Sequence, residues 1–228
     1  MAEIKTISLF RDANLQGYWR CEDVNDSSSH ALTLTNEGSV TFTSAKFFNG
    51  ANMGTPNTTN YLDELTNNLN VDGTAITISL WIKLLAEIGA GTFGFANQQS
   101  LASHTFNIMY YEYNGGTPRL AFQRYKNGVG GDISYGTATL GTSKFNHIVY
   151  VYDNTNVRGY LNGVNVATNV AASGSGSSGG GNGFQIGRDP FGNLVPAIID
   201  DVAVFNRVLT DAEILNIYNA GGGFFNFM

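Results

Sequence analysis

The run Ile76-Thr-Ile-Ser-Leu-Trp-Ile-Lys-Leu84 limits what this chain can become more than any other stretch. Side chains alternate across a strand, so Ile76, Ile78, Leu80 and Ile82 share one face and Trp81 stands on the other. A strand that is apolar on both faces needs cover on both sides. The run therefore belongs at the centre of a sheet, with further layers packed above and below it.

The remaining runs are mostly short strands. Leu15, Tyr18 and Trp19 read as a strand after an Asp12-Ala-Asn14 turn, and Leu32–Leu34 and Val40–Phe42 as two more before the turn Phe47-Phe-Asn-Gly50. Thr105–Tyr113, Arg119–Tyr125 and Asp132–Tyr135 follow at hairpin spacing, with Asn114-Gly115 and Asn127-Gly128 as type I′ turn signals. Phe145–Tyr152, Val157–Leu161 and Val164–Val170 continue the meander, and Phe184–Gly187 and Leu194–Phe205 complete it. Residues Asn57–Asn70, rich in Asn and Thr, are expected as loop, and Glu87–Ala96 as a loop or bulged edge. The Gly/Ser run Ala172–Gly183 reads as a long surface loop. It does not cradle phosphate, because no Lys-Ser/Thr follows it and a strand rather than a helix comes next. About a dozen short strands with regular turn signals describe an all-β, two-sheet antiparallel β-sandwich of jelly-roll type, with one short C-terminal helix.

That helix is announced by its cap. After the strand Ile199–Phe205, Thr210-Asp-Ala-Glu213 forms a capping box, and Leu209 and Ile214 hold the hydrophobic-staple positions around it. Ile214, Ile217 and Tyr218 follow at helical spacing, and Gly221 supplies a left-handed C-cap. In the strand, strict alternation puts Asp200 on the same face as Val202 and Val204.

The succession Leu15-Gln-Gly-Tyr-Trp-Arg-Cys-Glu-Asp23, Thr77-Ile-Ser-Leu-Trp-Ile-Lys83, Phe145-Asn-His-Ile-Val-Tyr-Val-Tyr-Asp153, Gly159-Tyr-Leu-Asn-Gly163 and Ile199-Asp-Asp-Val202 with Phe205-Asn-Arg-Val-Leu-Thr-Asp-Ala-Glu-Ile214 resembles the laminin-G-like branch of the concanavalin A-like lectin/glucanase superfamily. The resemblance covers most of residues 14–220 and implies one such domain over 1–228, with 221–228 as an apolar tail. It implies a structural calcium ion that joins the opening loop to the closing strand. Glu22 and Asp26 match the family's loop acids and Asp200 the inward acid of the closing strand, although Ser29 stands where the usual loop has Gly. Asp23 joins them on chemical grounds. Acids crowded without a compensating base repel one another unless they are solvated or hold a cation. Relatives that bind sugars stack them on exposed aromatics with polar residues alongside. Tyr111, Tyr113, Arg124 and Tyr125 are the ligand-binding candidates, with Phe191 beside them. The Glu-x-Asp-x-x-Glu arrangement of the family's glucanases is missing. His30, His104 and His147 lack metal-ligand spacing, and there is no Gly-x-Ser-x-Gly elbow. An enzyme is not expected.

Composition sets the other bounds. Net charge is −6, and the 12 Lys and Arg form no run, which argues against a nucleic-acid partner or an anionic lipid surface. The lone Cys21 allows no intrachain disulfide and reads as a small buried hydrophobe. No stretch is apolar for the roughly 18 residues of a spanning helix, so membrane insertion is not expected. The first ten residues lack the pattern of a signal peptide, so an extracellular or virion-surface location would need another route. Two functions are consistent with all of this. The first is a non-catalytic module that recognises glycans or cell-surface ligands. The second is a structural protein of a phage virion or surface array that self-associates through its termini, with the aromatic tail Phe224-Phe-Asn-Phe-Met228 in a homo-oligomer contact.

Overall fold

The computed structural model describes residues 9, 11–55, 59–65, 69, 75–88, 91–98, 106–112, 118–126, 129–136, 139–170, 183–189 and 191–220. Among them lie β1 (Leu15–Trp19), β2 (Thr35–Glu37), β3 (Thr41–Ser44), β4 (Asn49–Asn52), β5 (Tyr61–Glu64), β6 (Ile76–Leu84), β7 (Gly91–Gln98) and β8 (Phe106–Glu112). They continue as β9 (Arg119–Lys126), β10 (Val129–Tyr135), β11 (Asn146–Tyr152), β12 (Asn156–Leu161), β13 (Val164–Val170), β14 (Phe184–Ile186) and β15 (Ala197–Phe205), and the chain closes on helix α1 (Asp211–Asn219). Sheet A runs β13-β12-β11-β6-β15-β4-β3, with β1 also paired to β15, and sheet B runs β10-β9-β8-β7-β14-β5-β2.

Strand β6 is central, between β11 and β15, as its two apolar faces require. Its inward residues Ile78, Leu80 and Ile82 meet Leu62, Ile108, Phe122 and Ile186 of sheet B in one inter-sheet core. Trp19 stacks on Phe184 across that core at 5.2 Å. The layers touch so closely at Gly159 that an added Cβ would lie 2.1 Å from the Phe122 ring. Outside sheet A, Tyr18, Val149, Val151, Phe205, Leu209, Ile214 and Ile217 form a second apolar layer with α1. Trp81, on that outer face, packs against Phe47, His147 and Tyr218 with ring centroids 5.8, 5.0 and 5.9 Å away. His147 is buried here and bonded to Ser79 Oγ at 2.8 Å, and burial pushes its pKa down to about 3. It is therefore a neutral structural ring.

The capping box forms as expected. Glu213 N–H donates to Thr210 Oγ1 at 3.2 Å, and Thr210 N–H donates to Glu213 Oε2 at 2.8 Å. Glu213 is also gripped by Arg207, whose Nη2 and Nη1 donate at 2.7 and 3.1 Å, while the same guanidinium reaches Asp12 at 2.5 Å. This ties the residues before β1 to the end of the chain. The expected glycine C-cap at Gly221, the tail, the turns Asn114-Gly115 and Asn127-Gly128 and most of the Gly/Ser run lie outside the described residues.

Four expectations change. Tyr61–Glu64, inside the stretch expected as loop, forms β5, and most of Glu87–Ala96 becomes part of β7, a strand in the middle of sheet B. Leu32 and Leu34 are buried but Leu32–Leu34 is not a strand, because the Leu32 carbonyl accepts from Trp19 Nε1 at 2.7 Å instead of pairing in a sheet. Asp200 does not share a face with Val202 and Val204. On β15, Asp200 pairs with Trp81 and Ala203 with Ser79, so Asp201 and Val202 together face Leu80 and one residue is extra. Asp201 takes the bulge conformation, with φ of +46°. The bulge resets the alternation. Ile199, Val202 and Val204 all reach the inter-sheet core, while Asp200 stays in register with the outward Trp81.

Candidate ligand-binding site

Sheet B carries an ordered polar row on its outer face. Leu62, Ile186, Ala96, Ile108 and Phe122 point into the core, so the residues one step along each strand point away from it. Registers place Thr35 opposite Asp63, Asp63 opposite Gln185, Gln185 opposite Asn97, Asn97 opposite Asn107 and Asn107 opposite Gln123. Strands β2, β5, β14, β7 and β9 thus contribute one polar side chain each, with β8 lying between the last two. Asn97 Nδ2 donates to Gln185 Oε1 at 3.3 Å, and Gln185 Nε2 donates to Asp63 Oδ2 at 2.9 Å. Asp63 Oδ1, Asn97 Oδ1 and Gln123 Oε1 are buried without a hydrogen-bond partner. Such atoms carry a desolvation cost unless a donor reaches them. Burial raises the pKa of Asp63; the Gln185 amide opposes the rise and the charge of Glu37 adds to it.

Beside this row opens a cavity of about 340 Å³ lined by Glu37, Gly38, Thr59, Tyr61, Arg188, Gly192 and Leu194. One wall is the end of β2 and the approach to β5. Gly38 has φ of +84°, and a Cβ there would stand 2.7 Å from the Thr59 carbonyl and from Asn60 Oδ1, so this wall needs glycine. The other wall is the loop between β14 and β15. Asp189 is buried and holds that loop, accepting from the amides of Phe191 and Asn193 at 2.9 and 2.7 Å and from Asn193 Nδ2 at 2.7 Å. The loop rests on β7 where Gly94 has no side chain, since a Cβ would fall 1.9 Å from the Asp189 nitrogen. Row and wall are joined directly, because Asn97 Nδ2 donates to the Arg188 carbonyl at 2.6 Å.

Within the cavity the Arg188 guanidinium lies over the Tyr61 ring, 4.7 Å from its centroid. Burial raises the Tyr61 hydroxyl pKa, and the Arg188 charge opposes the rise. Among the described residues neither Arg188 nor Glu37 forms an ion pair. The cavity therefore offers an aromatic ring, a fork of N–H donors, a carboxylate acceptor and an apolar edge at Leu194. At its loop, Phe191 is 68% exposed.

Of the residues expected to bind ligand, Arg124 is placed differently. Arg124 is buried, with its guanidinium 4.3 Å from the Tyr152 ring centroid. The two-residue period of β9 sets it on the Phe122 side, in the interior rather than on a sugar-stacking surface. Tyr111 and Tyr125 have their backbones in β8 and β9, their side chains are not among those described, and Tyr113 lies outside the described residues. Sequence reasoning missed Tyr61, Glu37 and Arg188. The Arg-Asp-Pro-Phe-Gly turn signal beside β14 was the available clue to the last of these.

The acids expected to hold calcium do not fit that ion. Asp26 spends both oxygens inside its own loop. Its Oδ1 accepts from the Tyr18 and Ser28 amides at 2.8 and 2.7 Å, and its Oδ2 accepts from Ser28 Oγ and the Leu32 amide at 2.6 and 2.9 Å. Asp23 accepts from the Asn25 amide and Nδ2, both at 2.8 Å, and Glu22 pairs with Arg20. Asp200 alone keeps a buried oxygen, Oδ1, without a partner. Calcium takes about six to eight oxygens, and the described residues contain no group of three or more His, Cys, Asp or Glu side chains placed for a metal.

The sequence pattern of the concanavalin A-like lectin/glucanases superfamily, in a laminin G form, matches residues 56–215. In fold the chain is similar to domain 4 of AbnA, an extracellular arabinanase from Geobacillus stearothermophilus in complex with arabinotriose. The TM-score is 0.69 at 16% identity, over 90% of this chain and 98% of that one. It is also similar to the binding domain of Paraclostridial Mosquitocidal Protein 1, with TM-score 0.72 and 12% identity over 92% and 53%. The binding domain of botulinum neurotoxin DC in complex with SialylT gives 0.71 and 13% over 91% and 51%. The chain spans about half the length of these two toxin domains. No curated protein matches it in sequence.

Proposed function

Because the chain belongs to the concanavalin A-like lectin/glucanases superfamily, we propose that it is a non-catalytic module that binds a glycan in the cavity between Tyr61 and Arg188, working outside a cell or on a virion surface. The observation that carries this reading is the cavity itself: an aromatic ring, a guanidinium and a carboxylate converge there, next to a row of buried amide and carboxylate oxygens that lack donors. Sugars carry hydroxyl donors and acceptors and have apolar faces, so they answer the ring, the guanidinium and the carboxylate of the cavity. The neighbours support it, since the AbnA domain is described with arabinotriose and a toxin binding domain with SialylT. The neighbours described as binding domains support the non-catalytic part of the reading, and the described cavity lining carries one carboxylate, Glu37, where glycoside hydrolysis uses two. Calcium has no part in the reading.

The test is a glycan array probed with the intact chain and with Tyr61→Ala, beside light-scattering mass. The wild type binds at least one oligosaccharide class, and the variant loses roughly tenfold or more, as expected when a stacking ring worth about 1.4 kcal/mol is removed. A chain that binds no glycan and forms a defined multimer would favour the structural, self-associating role instead.

A further inference from the structure

Resting on the glycan-binding reading, we propose that this cavity selects a sugar bearing a carboxylate, and that Arg188 receives that carboxylate. Arg188 is a built feature. Its carbonyl is fixed by Asn97, its guanidinium lies 4.7 Å from the Tyr61 ring centroid, and a Cβ at Gly192 would come within 3.2 Å of its Nη2. A guanidinium is planar in itself and presents a fork of donors that matches a carboxylate bidentately. The chain carries 18 Asp and Glu, yet among the described residues none pairs with Arg188, and Glu37 in the same cavity stays apart from it. The two charges thus meet the ligand separately. Arg188 asks for an anion, while Glu37 can only accept, and so asks for hydroxyl donors. Tyr61 and Leu194 ask for an apolar face. An acidic sugar supplies all three from one ring. A neutral sugar offers the guanidinium only single hydroxyl acceptors, whereas a carboxylate brings the opposite charge and accepts two parallel N–H bonds from the fork. The carboxylate can come from a uronic acid or a sialic acid, whose chemistry at Arg188 is the same.

Titration of the full chain with oligogalacturonate, the matching neutral galacto-oligosaccharide, sialyllactose and lactose tests this and separates the two sources. At least one acid binds about tenfold or more tighter than its neutral counterpart, and added salt narrows the gap. Arg188→Gln abolishes the preference, while Arg188→Lys keeps the charge without the fork and restores only part of it. Thermal melting of both variants separates lost recognition from lost folding. Equal binding of acids and neutral sugars, or a preference that survives Arg188→Gln, overturns the carboxylate assignment but leaves the glycan-binding reading standing. Failure to bind any of the four, followed by a blank on a wider glycan array, overturns both.

Discussion

Asp200 and Asp201 show how much a single residue can cost a fold. Asp200 Oδ2 accepts from the Phe47 amide at 2.9 Å and Asp201 Oδ1 from the Tyr18 hydroxyl at 2.5 Å, but Asp200 Oδ1 and Asp201 Oδ2 are buried without partners. Burial, with the neighbouring Asp201 charge adding to it, pushes Asp200 up to about 8 from an ordinary 3.8. Burial pushes Asp201 up to about 7, against the Tyr18 hydroxyl and the Arg20 charge. Both folded values lie above the unfolded ones, so between about pH 4 and about pH 8 the native state holds protons that the unfolded chain has released. Stability therefore falls as pH rises through that window, at about 1.4 kcal/mol per pH unit for each proton so held. Urea midpoints should decline from about pH 5 to about pH 8, and Asp200→Asn should flatten the decline. Because the four expected acids do not fit calcium, EDTA should leave the midpoint unchanged at neutral pH. A drop on chelation would show that a cation neutralises this pair.

Among the elements, β7 links core to site. Its Gly94 lets the Arg188–Leu194 loop lie directly on the sheet. Gly94→Ala forces the loop backbone to move, at about 1–3 kcal/mol by the usual cost of overpacking. Glycan binding should fall much further than the melting temperature does, and equal losses would mean that the loop does not shape the site. At the C-terminal end, Thr210→Ala removes the cap that Glu213 shares and should cost about 1 kcal/mol, measured by denaturant unfolding. The elements legible in the sequence were those with one loud signal: the doubly apolar β6, the hairpins with turn dipeptides, and the boxed helix. β5 was silent because Tyr61-Leu62-Asp63-Glu64 places a single aliphatic residue among polar ones, and its outward Asp63 accepts from the Gln185 amide instead of marking an apolar face. β7 was hidden by Gly91 and Gly94, which read as loop residues, although Gly94 stands at a bulge and at a close approach of the next loop. The site shared that silence, since Tyr61 and Arg188 are far apart in sequence and meet only through sheet B. The inward turn of Arg124 followed from its period with Phe122, but a lone arginine in a hydrophobic strand gave no reason to apply it.

At the scale of the molecule, the order of assembly follows from topology. β15, late in the chain, lies inside sheet A, where it joins β6 to β4 and also holds β1. Until it arrives, β6 has one open edge, and β1, β3 and β4 have no anchor in the sheet. Such late, long-range pairing makes folding slow, on the order of milliseconds to seconds. It also leaves apolar strand edges exposed for that time. Sheet B does not escape, because its inward face packs on residues such as Ile78, Ile82 and Val204 that sheet A aligns. A chain ending at Pro196 should therefore lack a cooperative transition altogether and should bind a hydrophobic dye at all temperatures, rather than lose only the energy of one strand. Adding a peptide of residues 197–220 should restore the transition, since it returns both the missing strand and α1, the cover over Trp81. A cooperative melt from the truncated chain alone would show instead that sheet B and the hairpins β11 to β13 are stable without the closing strand, and that β15 docks onto a fold already formed.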